Sequence, residues 1–203
     1  MITLLALDLA TRSPLAVTDP TAASTVDRPL IRAPNGSVYV PVTSLAGSLR
    51  AHLRAELGED AMRSQMGYLD ANDGGITSRL RLVDSQLSTD AVIQQRVQTA
   101  IDRARGAADA RTLRTSEQIA AGATITLRAR YDGKPPQDLL DALAKWQPVL
   151  GGGVTSGMGR CALQSLRYRV LDLRDRHDLT FWLTRSGPDL YADHVHFHPH
   201  IQR

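Results

Sequence analysis

The sequence predicts one α+β domain with the element order βαββαβ, and three observations carry that prediction. Ile2 to Leu9 is a near-continuous apolar run of strand length, as expected of a strand in the middle of a sheet. Two amphipathic helical segments follow far apart in the chain, one starting near Ser44 and one at Pro136. Thr124 to Tyr131 alternates polar and apolar residues, the period of a half-buried antiparallel strand.

Taken in order, the first strand gives way to an irregular stretch, 12–37, with Pro14, Pro20, Pro29, Pro34 and the turn pair Asn35-Gly36. Ser37 to Val40 is a short extended piece. Leu45, Leu49, Leu53 and Leu57 then recur every four residues, which places them on one face of a helix. Thr43 or Ser44 is its expected N-cap and Gly58 its end. Residues 58–90 are polar and contain the turn Asp73-Gly74-Gly75; Arg79 to Val83 alternates like a strand. Residues 91–120 are ambiguous, since Val92, Val97 and Ile101 can share a helix face. In the strand 124–131, Ile125, Leu127, Ala129 and Tyr131 face one way and Thr124, Thr126, Arg128 and Arg130 the other. Pro135-Pro136 opens a helix that carries Leu139, Leu140, Leu143 and Trp146 on one side. A glycine loop, 151–159, leads to a long strand from Arg160 to about Leu171. This order is that of a ferredoxin-like, RRM-type palm spanning 1–173, with inserted loops at about 13–37 and 58–120 and a C-terminal tail at 174–203.

Composition narrows the function. The chain has 203 residues, 42% hydrophobic and 22% charged, an ordinary globular balance. Aromatic residues make up only 4%, which argues against reading bases on a broad aromatic platform. Of the 24 basic residues only Lys134 and Lys145 are lysine. Arginine's planar fork suits phosphate, although a GC-rich genome gives the same bias. Cys161 is the only cysteine, so neither a disulfide framework nor a Cys-pair zinc site is available. The first residues lack a basic n-region and contain Asp8, unlike a signal peptide. No apolar stretch approaches the ~20 residues that span a bilayer. A cytoplasmic protein with no membrane partner is the expectation.

The least ordinary segment is Gly151-Gly152-Gly153-Val154-Thr155-Ser156-Gly157-Met158-Gly159-Arg160. Its glycines permit positive φ and close approach of backbone amides to an anion. No Gly-Lys-Ser/Thr follows, so it is not a Walker loop. It runs from helix to strand, so it is not a dinucleotide fingerprint. A flexible connection explains it equally well.

A helix-to-strand glycine loop ending in Gly-x-Gly-Arg resembles the signature of the RAMP superfamily of CRISPR proteins. Three further segments resemble its backbone subunits. Val26-Asp27-Arg28-Pro29-Leu30-Ile31-Arg32, followed by Tyr39-Val40-Pro41 and Ser44-Leu45-Ala46-Gly47-Ser48-Leu49-Arg50, is similar to their aspartate loop and helix start. Ala100-Ile101-Asp102-Arg103-Ala104-Arg105-Gly106 is similar to their Ile-Asp-Arg turn. Glu117 to Ile125 is similar to the segment that enters a strand. The blocks occur in family order over about residues 13–173.

The resemblance implies a backbone subunit of a type III effector ribonucleoprotein. Its implied partners are a CRISPR guide RNA, a target RNA, other effector subunits and further copies of itself. It also implies a thumb, for which 98–116 is the expected contributor. Ser44, Arg50, Arg54, Arg128, Arg130, Gly152, Gly153, Ser156 and Arg160 are the expected RNA-binding residues. The arginines of the sheet face and of the first helix would join the loop amides in one groove. The resemblance implies that Asp27 cleaves target RNA, helped by a loosely bound Mg²⁺ or other divalent cation. Two other readings stay open: a non-catalytic structural subunit, and a guide-processing endoribonuclease with His52 as base. His194, His196, His198 and His200 share a face if extended and suit a metal, but Pro199 interrupts them and a packing tail is the simpler expectation. Cys161 is expected in the core.

Overall fold

The computed structural model describes residues 1–19, 21, 24–70, 74–108, 112–192 and 196–197. In chain order the elements are β1 (Ile2–Thr11), α1 (Val42–Leu57), α2 (Glu59–Met66), β2 (Tyr68–Asp70), β3 (Gly74–Ile76), β4 (Leu80–Leu87), β5 (Ile93–Gln98), β6 (Ile101–Asp102), β7 (Ala107–Ala108), β8 (Arg114–Ile119), β9 (Thr124–Asp132), α3 (Gln137–Ala144), β10 (Cys161–Leu171), α4 (Arg176–Thr184) and β11 (His196–Phe197).

One antiparallel sheet has the order β11-β10-β1-β9-β4. Leaving aside the short β11, its strands stand fourth, first, third, second in palm order, with α1 and α3 as the crossovers. That is the ferredoxin-like fold. β1 lies in the middle, pairing with β10 on one side and β9 on the other. This explains its unbroken apolar sequence: alternate residues must be buried on both faces. Leu5, Leu7 and Leu9 join the main core, while Leu4 belongs to a second cluster on the other face, with Leu171, Phe181 and Tyr191.

The main core fills the space between the sheet and α1 and α3. Leu45, Leu49 and Leu53 of α1 meet Ile125, Leu127, Ala129 and Tyr131 of β9, together with Leu139, Leu143 and Trp146. Burying each leucine contributes about 1.5–3 kcal/mol. The Tyr131 hydroxyl donates to Gln65 Oε1 at 2.8 Å, which satisfies its polar tip, while the Trp146 indole N–H in the same core has no partner among the described residues. Cys161 lies in the same core, where burial pushes its thiol pKa up to about 11. No helix among the described residues is long and apolar enough to cross a membrane.

Several expectations need correction. α1 begins at Val42 with Pro41 as its N-cap and no side-chain cap. Neither Thr43 nor Ser44 performs that role, because the helix starts at Val42 and both lie inside its first turn. Within 58–120, β4 is not an insertion but the second strand of the palm, where Arg79 to Val83 alternates like a strand. None of the described residues in 93–119 is helical. β5 pairs with β8 from Ile93↔Ile119 to Gln98↔Arg114, and β6 with β7 extends the arm. The helical spacing of three apolar residues is overridden because β8 has partners on both edges: β5 on one and Arg28 opposite Ser116 on the other. The segment after β10 is not detached. Phe181 of α4 and Tyr191 pack beneath the sheet on Leu4 and Leu171. Of the histidine run, His194, His198 and His200 lie outside the described residues, and the backbone of His196 pairs with Tyr168.

Candidate nucleic-acid interface

The aspartate loop is held against the arm by its own apolar residues. Val26, Pro29 and Leu30 are buried, leaving Asp27 and Arg28 exposed between them. The loop runs beside β8: the Arg28 amide donates to the Thr115 carbonyl at 3.1 Å, and the Glu117 amide to the Arg28 carbonyl at 3.0 Å. Glu117 holds the far end, accepting from the Leu30 amide at 3.0 Å and from Arg32 at 3.1 Å. Asp27 Oδ2 accepts from the Thr115 amide at 2.7 Å and from its hydroxyl at 3.2 Å. Those two hydrogen bonds, with the charge of Arg114 adding a smaller push, hold the Asp27 carboxyl below its ordinary pKa. Hydrogen bonds to the ionised form favour that form, so Asp27 is charged at neutral pH.

The glycine loop packs on the start of the same region. The Gly152 amide donates to the Ala16 carbonyl and the Gly159 amide to the Pro14 carbonyl, both at 2.8 Å. A short 3₁₀ turn, Val154–Ser156, sits between Gly153 and Gly157, both at positive φ. Two of the glycines are required by packing rather than by a ligand. A Cβ on Gly151 would lie 2.2 Å from the Ala16 carbonyl oxygen, and one on Gly159 only 1.9 Å from that of Leu150. The amides of Gly152 and Ser156 already donate within the protein; those of Gly153, Val154 and Thr155 have no acceptor among the described residues.

These parts enclose a groove. One hollow of about 250 Å³ is lined by Gly152, Gly153, Ser156, Arg28, Gln98 and Ser116. A second, of about 300 Å³, continues past Arg28, Gln98 and Ser116 to Thr99, Thr112 and Arg114. Asp27 lines neither, but it is the chain neighbour of Arg28 and is held by the neighbour of Arg114.

The arginines divide into those whose donors the protein already occupies and those left open. Arg50 donates to the Met66 and Gly67 carbonyls at 3.0 and 2.9 Å, fastening α1 to the end of α2. Arg54 and Arg63 pair with Glu59, Arg81 with Asp132, and Arg167 with Asp8. Arg128, 8% exposed, pairs with Asp84 and Gln86. Arg130 lies near Asp132 and over Trp182. The guanidinium groups of Arg12, Arg28, Arg96, Arg103, Arg114, Arg160, Arg174 and Arg176 have no such partner among the described residues, and of these Arg28 and Arg114 line the two hollows. Arg12 and Arg160 meet where the glycine loop joins the sheet, the Arg12 amide donating to the Arg160 carbonyl at 2.7 Å.

Of the expected RNA-binding set, the structure brings Gly152, Gly153 and Ser156 together and places Arg160 at the end of their loop. It does not join the others to them. Arg128 and Arg130 point to the sheet face under α4, whereas Arg50 and Arg54 belong to α1 on the opposite face. The single groove expected from those four arginines is therefore not formed, because alternate residues of a strand face opposite ways. The Ser44 amide already donates to the Pro41 carbonyl at 3.0 Å. His52 Nε2 lies 2.8 Å from the Ala142 carbonyl oxygen, a tie between α1 and α3 rather than a free base. Arg28, Gln98, Arg114 and Ser116 were missed as groove residues; only the β5–β8 register, hidden by the ambiguous stretch, reveals that they share a face.

Metal-ligand types converge elsewhere at Asp175, His177 and Asp178, whose ligand atoms lie within 4.8 Å of one another. There, however, Asp175 caps α4 by accepting from the His177 and Asp178 amides, which accounts for the grouping.

Comparisons with known proteins fit this geometry. A chain of a type III-B Cmr-beta complex bound to cognate target RNA is similar in fold, with TM-score 0.64 and 14% identity over 82% of this chain. The present chain spans only 60% of that one's length. A chain of type III-B Cmr-beta in the apo state matches with TM-score 0.63 and 10% identity, over 79% of this chain and 96% of the other. No curated protein matches the sequence. The sequence pattern of the RAMP superfamily matches residues 8–162, from the middle of β1 into β10 and across both the aspartate loop and the glycine loop, and the chain belongs to that superfamily.

Proposed function

We propose that this chain binds RNA as a backbone subunit of a type III CRISPR effector complex, alongside guide RNA, target RNA, other effector subunits and further copies of itself. The observation that carries the reading is the groove from the glycine loop past Arg28 to Arg114, lined by uncharged polar groups and unpaired guanidinium groups. Such a surface suits a phosphate backbone and reads no sequence. The projecting arm of β5 to β8, with Val97, Ile101 and Leu113 exposed, fits a thumb that meets a neighbouring subunit or a duplex.

Target cleavage by Asp27 is part of the same proposal. RNA supplies its own nucleophile, the 2′-hydroxyl, so the protein need only align it and help remove its proton. The carboxylate is exposed, ionised and fixed through Oδ2, and its Oδ1 has no hydrogen bond among the described residues. A divalent cation fits here only loosely, since one carboxylate needs phosphate oxygens and water to complete the shell; when bound, it would offset charge at the phosphate.

Assembly on guide RNA across a salt series tests RNA binding. The logarithm of the association constant is expected to fall linearly with the logarithm of salt, by about 0.7 per phosphate neutralised on a single strand. Assembly that ignores salt would contradict the groove.

A further inference from the structure

The second hollow is more than an extension of the first. Arg28 and Arg114 both line it, from separate segments, the aspartate loop and β8. Both are exposed, and neither guanidinium has an ion pair or hydrogen bond among the described residues. The other named lining groups are Gln98, Thr99, Ala100, Thr112 and Ser116, none of them acidic. Two like charges held across one hollow repel unless an anion lies between them. The segments are nevertheless fixed there by the backbone pairing of Arg28 with Ser116 and of Gln98 with Arg114.

The same backbone places the cleavage carboxylate. Asp27 precedes Arg28, and Thr115, which holds Asp27, follows Arg114. An anion between the two arginines therefore lies beside whatever Asp27 touches. We propose that the Arg28–Arg114 hollow is an anion site for a phosphodiester of the target strand, adjacent to the phosphodiester presented to Asp27. This rests on the reading that target RNA reaches Asp27, and it assigns to the arm a binding role separate from guide loading. The glycine-loop hollow on the other side of Arg28 is left for the guide backbone.

The test uses the guide-loaded complex with Arg114→Ala, and an exposed arginine before α4 as control in Arg174→Ala. Guide content per complex is expected to fall less than target affinity, because the glycine-loop hollow lies on the other side of Arg28 from Arg114, and thermal stability is expected to stay unchanged, because the Arg114 side chain ties no two segments together. Target affinity is expected to fall about tenfold at low salt, the scale of a lost hydrogen bond to a charged group. The salt slope should fall by about one phosphate's worth. Arg114→Lys should restore the slope but only part of the affinity, since an ammonium group lacks the planar fork. Unchanged target affinity and slope in Arg114→Ala would overturn the proposal, as would a loss confined to guide loading. The two readings fail separately: if Asp27→Ala leaves cleavage intact while Arg114→Ala weakens target binding, the anion site stands and the cleavage role falls.

Discussion

Replacing Asp27 by alanine is expected to reduce target cleavage by about 10²–10⁴-fold, the usual contribution of a positioned proton-transfer group, while target binding persists. Alanine also removes the tie to Thr115, so Asp27→Asn is the cleaner companion. The amide oxygen of asparagine can still accept from the Thr115 amide, and only the charge is lost. Equal loss of cleavage in both variants, with guide content unchanged, assigns the effect to the carboxylate. The pH dependence has a definite sign. Thr115 favours the ionised form and lowers the Asp27 pKa below 3.8. The charge-dependent tie to Thr115 is therefore complete above the ordinary carboxylate pKa and is lost only as pH falls through the lowered one. Cleavage that depends on the carboxylate should persist to lower pH than an unperturbed aspartate allows. Regularly spaced cuts continuing unchanged in Asp27→Asn would remove Asp27 from the mechanism.

Gly159→Ala is expected to destabilise the fold by about 3–5 kcal/mol, in the range reserved for strain at a special backbone conformation combined with a steric clash. Gly159 has φ +79°, and the added Cβ would press on the carbonyl of Leu150. That contact cannot relax cheaply. The Gly159 carbonyl accepts from the Leu150 amide at 2.9 Å, and the Gly159 amide donates to the Pro14 carbonyl. A shift thus loosens the end of the glycine loop from both the 146–150 segment and the first loop. For a chain of this size the change corresponds to a melting temperature lower by roughly 10 °C. Gly157→Ala is the internal comparison. Its φ is +83° but no heavy atom lies within 4 Å of the new Cβ, so only the left-handed backbone cost of about 1–2 kcal/mol applies. Equal melting temperatures for the two variants would show that the Leu150 contact does not govern the loop.

The parts of the fold written as periodicity were legible from the sequence. The alternation of 124–131 set the buried face of β9, and the four-residue leucine spacing set that of α1. The unbroken apolar run of β1 announced burial on both sides. Less legible was anything fixed by pairing between distant segments. β5 has almost no apolar alternation, because its six residues stand in solvent; backbone hydrogen bonds hold it to β8. Arg128 illustrates the same limit within the site. Its place on the polar face of β9 was correctly read, but not that Asp84 and Gln86 on the neighbouring strand would engage its donors. Arg50 looks equally available in sequence, yet two backbone carbonyls occupy it. An arginine is open to a phosphate only if no acceptor of the protein reaches it first, and that depends on the whole fold. The glycine loop was recognisable as special, but its glycines serve two needs: Gly151 and Gly159 relieve backbone contacts, while Gly152 and Gly153 line the groove.

The most direct test of the central claim is the nucleic acid that the protein carries when purified with its native partners. RNA extracted from the complex should form a discrete length class, present in fixed ratio to several copies of this chain. RNA-free complexes, or bound RNA of random length and sequence that a moderate-salt wash removes completely, would contradict a guide-binding backbone subunit.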